Sequence, residues 1–141
     1  MSYEICYDRS AARTEAFAVL AEAWNETVQG GLTPDRDGLP PYEANSELIY
    51  AVSQDEDIVG VLVWTTLPQQ SAFSVQLAYV EPSSRRRGVF KAMFEELRRR
   101  AARQGIERVL LPLTPQNVTG AAVAKRLGGT PALILHEYPT S

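Results

Sequence analysis

Three consecutive arginines, Arg85, Arg86 and Arg87, are followed at once by Gly88 and then by apolar residues at Phe90, Met93, Phe94, Leu97 and Ala101. Steps of three and four predict a helix with one apolar face. A helix that opens at a glycine, just after cations, offers free backbone N–H groups and the positive end of its dipole to an anion. Gly88 also lets the main chain come close to a ligand. Upstream, Phe73 to Val80 is an apolar run with aromatic and β-branched members, closed by Glu81-Pro82, and it predicts a strand. A strand, a polar loop and a helix in that order suit a phosphate-bearing ligand. A solvated loop is the alternative reading of the same arginines.

The run Val80-x-Pro82-x-x-Arg85-x-x-Gly88-x-Phe90 resembles the acyl-CoA-binding motif of the GNAT N-acetyltransferases, whose pattern is Arg/Gln-x-x-Gly-x-Gly/Ala. Arg85 and Gly88 fit that pattern, and Phe90 departs from it. The resemblance implies that the segment Arg85, Arg86, Arg87, Gly88, Val89 and Phe90 holds the pyrophosphate of acetyl-CoA, through backbone amides and arginine side chains. It implies that Ala78, Tyr79 and Val80 lie along the pantetheine arm, with one of their N–H groups stabilising the oxyanion of acyl transfer. It implies that Asn117 contacts the same arm, and Asn117 also reads as a plain helix N-cap. The implied reaction moves an acetyl group from acetyl-CoA to a primary amine of a small molecule or a protein.

Proton transfer is where this sequence leaves the family pattern. The usual basic glutamate of the central strand aligns with Gln76, which cannot take up a proton. The usual acidic tyrosine, in a Tyr-x-x-Leu-Gly-Phe run, aligns with Ala124 of Ala124-Lys125-Arg126-Leu127-Gly128-Gly129. Glu137 and Glu47 are the nearest substitutes by strand position. His136 has a suitable titration range, although a lone histidine in an apolar strand also reads as structural. These departures keep a second function in play, a non-catalytic acyl-CoA-binding or regulatory protein-interaction domain of the same fold.

The elements that must position these residues follow from periodicity and breakers. Tyr3 to Tyr7 predicts a strand, and Ser10 caps a helix with Ala12, Phe17, Leu20, Ala21 and Trp24 on one face. Leu32 to Asn45 is a long loop rich in Pro, Gly and Asp, the segment expected to shape an acceptor pocket. Tyr42 and Trp64 are candidates to line that pocket, with core packing the simpler role for Trp64. Asp35, Asp37 and Glu43 suit a cationic acceptor and a solvated loop equally. Leu48 to Ser53 and Ile58 to Thr66 predict a hairpin. After the main helix ends at Gly105 come a strand at Arg108 to Leu113, a helix at Thr119 to Leu127 opened by Asn117 or Thr119, and a strand at Ala132 to Tyr138.

This order predicts an α/β domain over residues 1–141, with a mixed, mostly antiparallel central sheet of about six strands flanked by helices. The resemblance covers the whole chain, with the last family strand missing or very short, and it implies splayed central strands. Pro112 cannot donate to a ladder, which fits a residue facing that splay or a strand that ends sooner. Composition narrows the classes further. The chain has 141 residues, 45% of them apolar and 22% charged, with a net charge of −3. The acidic balance argues against a nucleic-acid binder. One cysteine, Cys6, and one histidine exclude an internal disulfide and a cysteine or multi-histidine metal site, so no metal is expected. With no signal peptide and no apolar run near the ~20 residues of a membrane span, a cytoplasmic protein is expected. Cys6 reads as core filler. A homodimer stays open.

Overall fold

The computed structural model of the protein describes residues 3–11, 14–30, 45–132, 136 and 138–139. Within them, five strands form one sheet in the order β1-β2-β3-β4-β5. The strands β1 (Glu4–Asp8), β2 (Glu47–Val52), β3 (Ile58–Leu67) and β4 (Ala72–Val80) pair antiparallel in sequence, and β5 (Arg108–Leu110) pairs parallel with β4. Helix α1 (Phe17–Gln29) covers one face and α2 (Val89–Arg103) the other. Helix α3 (Val118–Arg126) follows β5 and buries none of its residues.

Alternation along the strands decides what each face buries. Leu48, Tyr50, Val61, Val63, Leu77 and Tyr79 pack with Leu20, Ala23 and Trp24 on the α1 side. Ile49, Ala51, Leu62, Trp64, Phe73 and Val75 pack with Val89, Met93, Leu97 and Ala101 on the α2 side. Because both faces are covered, the stretches 48–52 of β2 and 58–64 of β3 are continuously apolar instead of alternating. The buried residues of α2 recur every four positions, and burial of each large one contributes roughly 1.5–3 kcal/mol. Trp64 is fully buried between Tyr7 and Phe73, so it belongs to the core.

Some expectations are corrected. Helix α1 starts at Phe17, not just after Ser10. Thr14 holds the turn before it, its hydroxyl oxygen accepting from the Ala16 N–H at 3.1 Å. The strand expected to reach Leu113 stops at Leu110, so Pro112 lies outside the ladder. Among the described residues five strands form the sheet, where about six were expected over the whole chain. Most of the strand expected at Ala132 to Tyr138 falls outside the described residues, as does nearly all of the loop from Leu32 to Asn45.

Three tyrosine–glutamate pairs tie the elements together. Tyr7 on β1 donates to Glu47 on β2 at 2.6 Å, Tyr50 on β2 donates to Glu15 ahead of α1, and Tyr79 on β4 reaches Glu22 of α1 at 3.5 Å. Burial first, then Glu47, pushes the Tyr7 phenol up to about 12. Burial, then Glu22 and Glu26, pushes Tyr79 up to about 12. The bond to Glu15, then burial, raises Tyr50 as well. The folded state therefore holds these protons more tightly than the unfolded chain, whose tyrosines ionise near ~10. Stability should hold up to about pH 10 and fall as pH rises from there towards 12. Urea unfolding across the alkaline range checks this, and a flat profile through that window would contradict it.

Candidate functional site

Where α2 begins, the chain leaves several backbone donors without helical acceptors. The first bond closing the helix runs from the Ala92 N–H to the Gly88 carbonyl at 3.0 Å, and no side chain among the described residues caps this end. The amides of Val89, Phe90 and Lys91 thus have no acceptor inside the helix. Two left-handed residues shape the approach, Arg86 with φ 63° and Gly88 with φ 81°. Among the described residues nothing lies within 4 Å of where a Gly88 side chain would start, which leaves room at the mouth of the helix. Gly60 on β3 brings this end of α2 close to the sheet. An added carbon there would stand 3.0 Å from Met93 Cε and 3.1 Å from Val89 Cγ1.

The second half of the site is the edge of β4. Strand β5 pairs only with Ala72, Phe73 and Ser74. From Val75 to Val80, β4 keeps β3 on one side and has no strand on the other among the described residues. A bulge lies where the pairing ends: Trp64 is opposite Val75 and Val63 opposite Leu77, leaving Gln76 as the extra residue. The bulge turns Gln76 so that its Oε1 accepts from the buried Ser46 hydroxyl at 2.8 Å. Ala78 is exposed on the open stretch. Thr114, in the segment leading from β5 to α3, has a buried hydroxyl with no hydrogen-bond partner among the described residues. An unpaired strand edge, uncapped helix amides and open space at Gly88 together suit a long ligand with an anionic group at the helix and amide groups along the strand. A coenzyme with a pantetheine arm and a diphosphate has that chemistry.

The structure brings Ala78, Tyr79 and Val80 to the same end as the segment Arg85 to Phe90, joined by one short turn at Pro82–Ser84. The Nε of Arg85 donates to the Val80 carbonyl at 2.7 Å, its other nitrogen meets Glu26 of α1 at 2.7 Å, and its guanidinium lies 5.5 Å from the centre of the Tyr79 ring. Arg86 and Arg87 are exposed. Phe90 is half-buried, stacks on Phe94 at 5.7 Å and packs against the core, as its place in the apolar stripe requires. Asn117 caps α3, its Oδ1 accepting from the Gly120 N–H at 2.8 Å.

The proton-transfer candidates are scattered. Glu47 is held by Tyr7, whose ring is covered by Arg100 of α2 at 3.6 Å, whereas Gln76 bonds Ser46 on the α1 side. Alternation along β2 puts Glu47 on the α2 side with Ile49. His136 is exposed, and Glu137 lies outside the described residues. Cys6 packs against the α1-side core, and burial followed by Glu4 raises its thiol above the usual range. No group of three or more His, Cys, Asp or Glu able to hold a metal occurs among the described residues, and no helix among them is long and apolar enough to cross a membrane. Sequence reasoning missed Glu22 and Glu26. Their four-residue spacing places them on one side of α1, but only the fold reveals Tyr79 and Arg85 opposite them.

Replacing Gly88 by alanine separates backbone cost from ligand cost. A non-glycine residue in the left-handed region costs about 1–2 kcal/mol, and the open surroundings add no clash. Thermal unfolding should show that modest loss, and calorimetry with acetyl-CoA tests the ligand side, a larger loss of affinity keeping Gly88 in the site. Unchanged affinity would remove Gly88 from the site.

Comparison with known proteins agrees with this geometry. A model of the acetyltransferase (GNAT) family matches residues 13–128. No curated protein sequence matches the chain significantly. Among solved structures, an aminoglycoside acetyltransferase from an uncultured soil metagenomic sample, in complex with sisomicin, is similar with a TM-score of 0.75 at 16% identity, covering 99% of this chain and 96% of that one. A ribosomal-protein-alanine N-acetyltransferase from Brucella melitensis biovar Abortus 2308 is similar with a TM-score of 0.72 at 18% identity, covering 99% of each chain. An N-acetylglutamate synthase from Neisseria gonorrhoeae, complexed with coenzyme A and N-acetyl-glutamate, gives 0.62 at 16% identity over 89% of this chain and 28% of that one. With a strand that loses its neighbour beside an uncapped helix mouth, and a family model spanning most of its length, the chain belongs to the GNAT acetyltransferase family.

Proposed function

We propose that the protein is an acetyl-CoA-dependent N-acetyltransferase acting on a primary amine of a small molecule or a protein. The observation that carries this reading is the conjunction of uncapped α2 amides with the unpaired stretch of β4. Acetyl-CoA would supply the activated acyl group. The amides from Arg86 to Phe90 would hold its diphosphate, each charge-assisted bond worth roughly 1.5–3 kcal/mol. A backbone N–H of Ala78, Tyr79 or Val80 would face the acyl oxygen, a contribution of about 2.7–4 kcal/mol when preorganised. Two solved neighbours are named for action on aminoglycosides and on ribosomal-protein alanine, which fits an amine acceptor of either size class.

Positioning and oxyanion stabilisation would carry the catalysis. Gln76 offers no base, its amide being fixed by Ser46, and Ala124 offers no acid. The acceptor would then have to arrive neutral. An alkyl amine of pKa ~10 is only about 0.1% neutral at pH 7, a penalty near 4 kcal/mol. The rate with such an amine should therefore climb about tenfold per pH unit towards ~10. Initial-rate measurements of thiol release against pH test this directly. A plateau near neutrality would instead reveal a protein base, for which Glu137 and Glu47 are the candidates.

The same two residues, Gln76 and Ala124, favour one other reading, a coenzyme-binding regulatory domain that does not turn over. Acetyl-CoA binding heat with no thiol release across a panel of amines would select it. Absence of binding heat would defeat both.

A further inference from the structure

The geometry points to Arg85 as a positioning residue, not a phosphate ligand: its guanidinium straps the coenzyme loop to α1 through Glu26. This rests on the coenzyme reading above. Two nitrogens and one flat side of the guanidinium are engaged within the fold. Nε donates to the carbonyl of Val80, the last residue of β4, and so closes the turn that carries the chain from strand to helix. The far nitrogen pairs with Glu26 of α1 at 2.7 Å. The flat side rests over Tyr79, itself one of the strand residues expected along the pantetheine arm. A planar fork can make these contacts together, and a lysine cannot. Glu26 also compensates the charge, leaving little net attraction for a phosphate.

The consequence runs against simple electrostatics. Glu26 is an anion near a site for anions, so removing it should tighten acetyl-CoA binding if charge alone mattered, and should do so more strongly if Arg85 were released to grip a phosphate. A strap predicts the reverse, because the loop amides lose their fixed placement. Both partners are about half exposed, their side chains at 45% and 46%, so the effect is modest.

The test is the sign of the Glu26→Ala effect on acetyl-CoA affinity and KM in the full chain. A strap gives weaker binding, about three- to fivefold, as an exposed ion pair allows. Arg85→Ala gives at least as large a loss, and the double variant does little worse than Arg85→Ala alone. Arg85→Lys, which keeps the charge, does not restore affinity. Tighter binding by Glu26→Ala, or full affinity in Arg85→Lys, overturns the proposal. Should wild-type protein show no acetyl-CoA binding at all, the coenzyme reading fails separately. The strap is then judged by melting temperatures: non-additive losses in the Arg85, Glu26 and double variants support it, and additive or absent losses sink it.

Discussion

A strand buried in a sheet satisfies its backbone groups on both sides, and β4 does so for only part of its length. Among the described residues it pairs with β3 along its length save for the bulge at Gln76, but β5 leaves after Ser74. Unpaired main-chain donors and acceptors are costly unless something bonds them. The whole candidate site follows from that break. The bulge at Gln76 comes just after it, the exposed Ala78 lies along it, and α2 starts a short turn beyond its end. Helix α2 can then present its own unbonded amides to the same space. One ligand that is amide-rich at one end and anionic at the other answers both deficits.

Much of this was legible in the chain. The apolar spacing from Phe90 to Ala101, between Gly88 and Gly105, made α2 legible, although Val89 and not Phe90 is its first buried residue. The hairpin of β2 and β3 was equally plain, since β-branched runs flanked a polar turn. The start of α1 was not. Its apolar positions extend back to Ala12, yet Thr14 and Ala16 are buried ahead of the helix, and a residue's burial does not say which backbone conformation achieves it. The length of β5 was also misjudged, because an apolar run reports burial and not ladder pairing.

Side-chain partnerships were the least legible part. Arg85 reads in sequence as one of three equivalent cations, and the fold bonds it to the Val80 carbonyl and to Glu26. Glu47 reads as a base near the central strands, and the fold ties it to Tyr7 on the far face. Tyr79 reads as a strand residue valued for its backbone, and its ring and phenol turn out to connect β4 with α1. Such contacts join residues far apart in sequence, and no local pattern encodes them.

Amide hydrogen exchange with and without coenzyme A tests the central claim most directly. The account predicts slowed exchange in two places together, from Arg86 to Lys91 at the mouth of α2 and from Val75 to Val80 along the open edge of β4. Protection confined to other segments, or no protection at saturating coenzyme A, would contradict it.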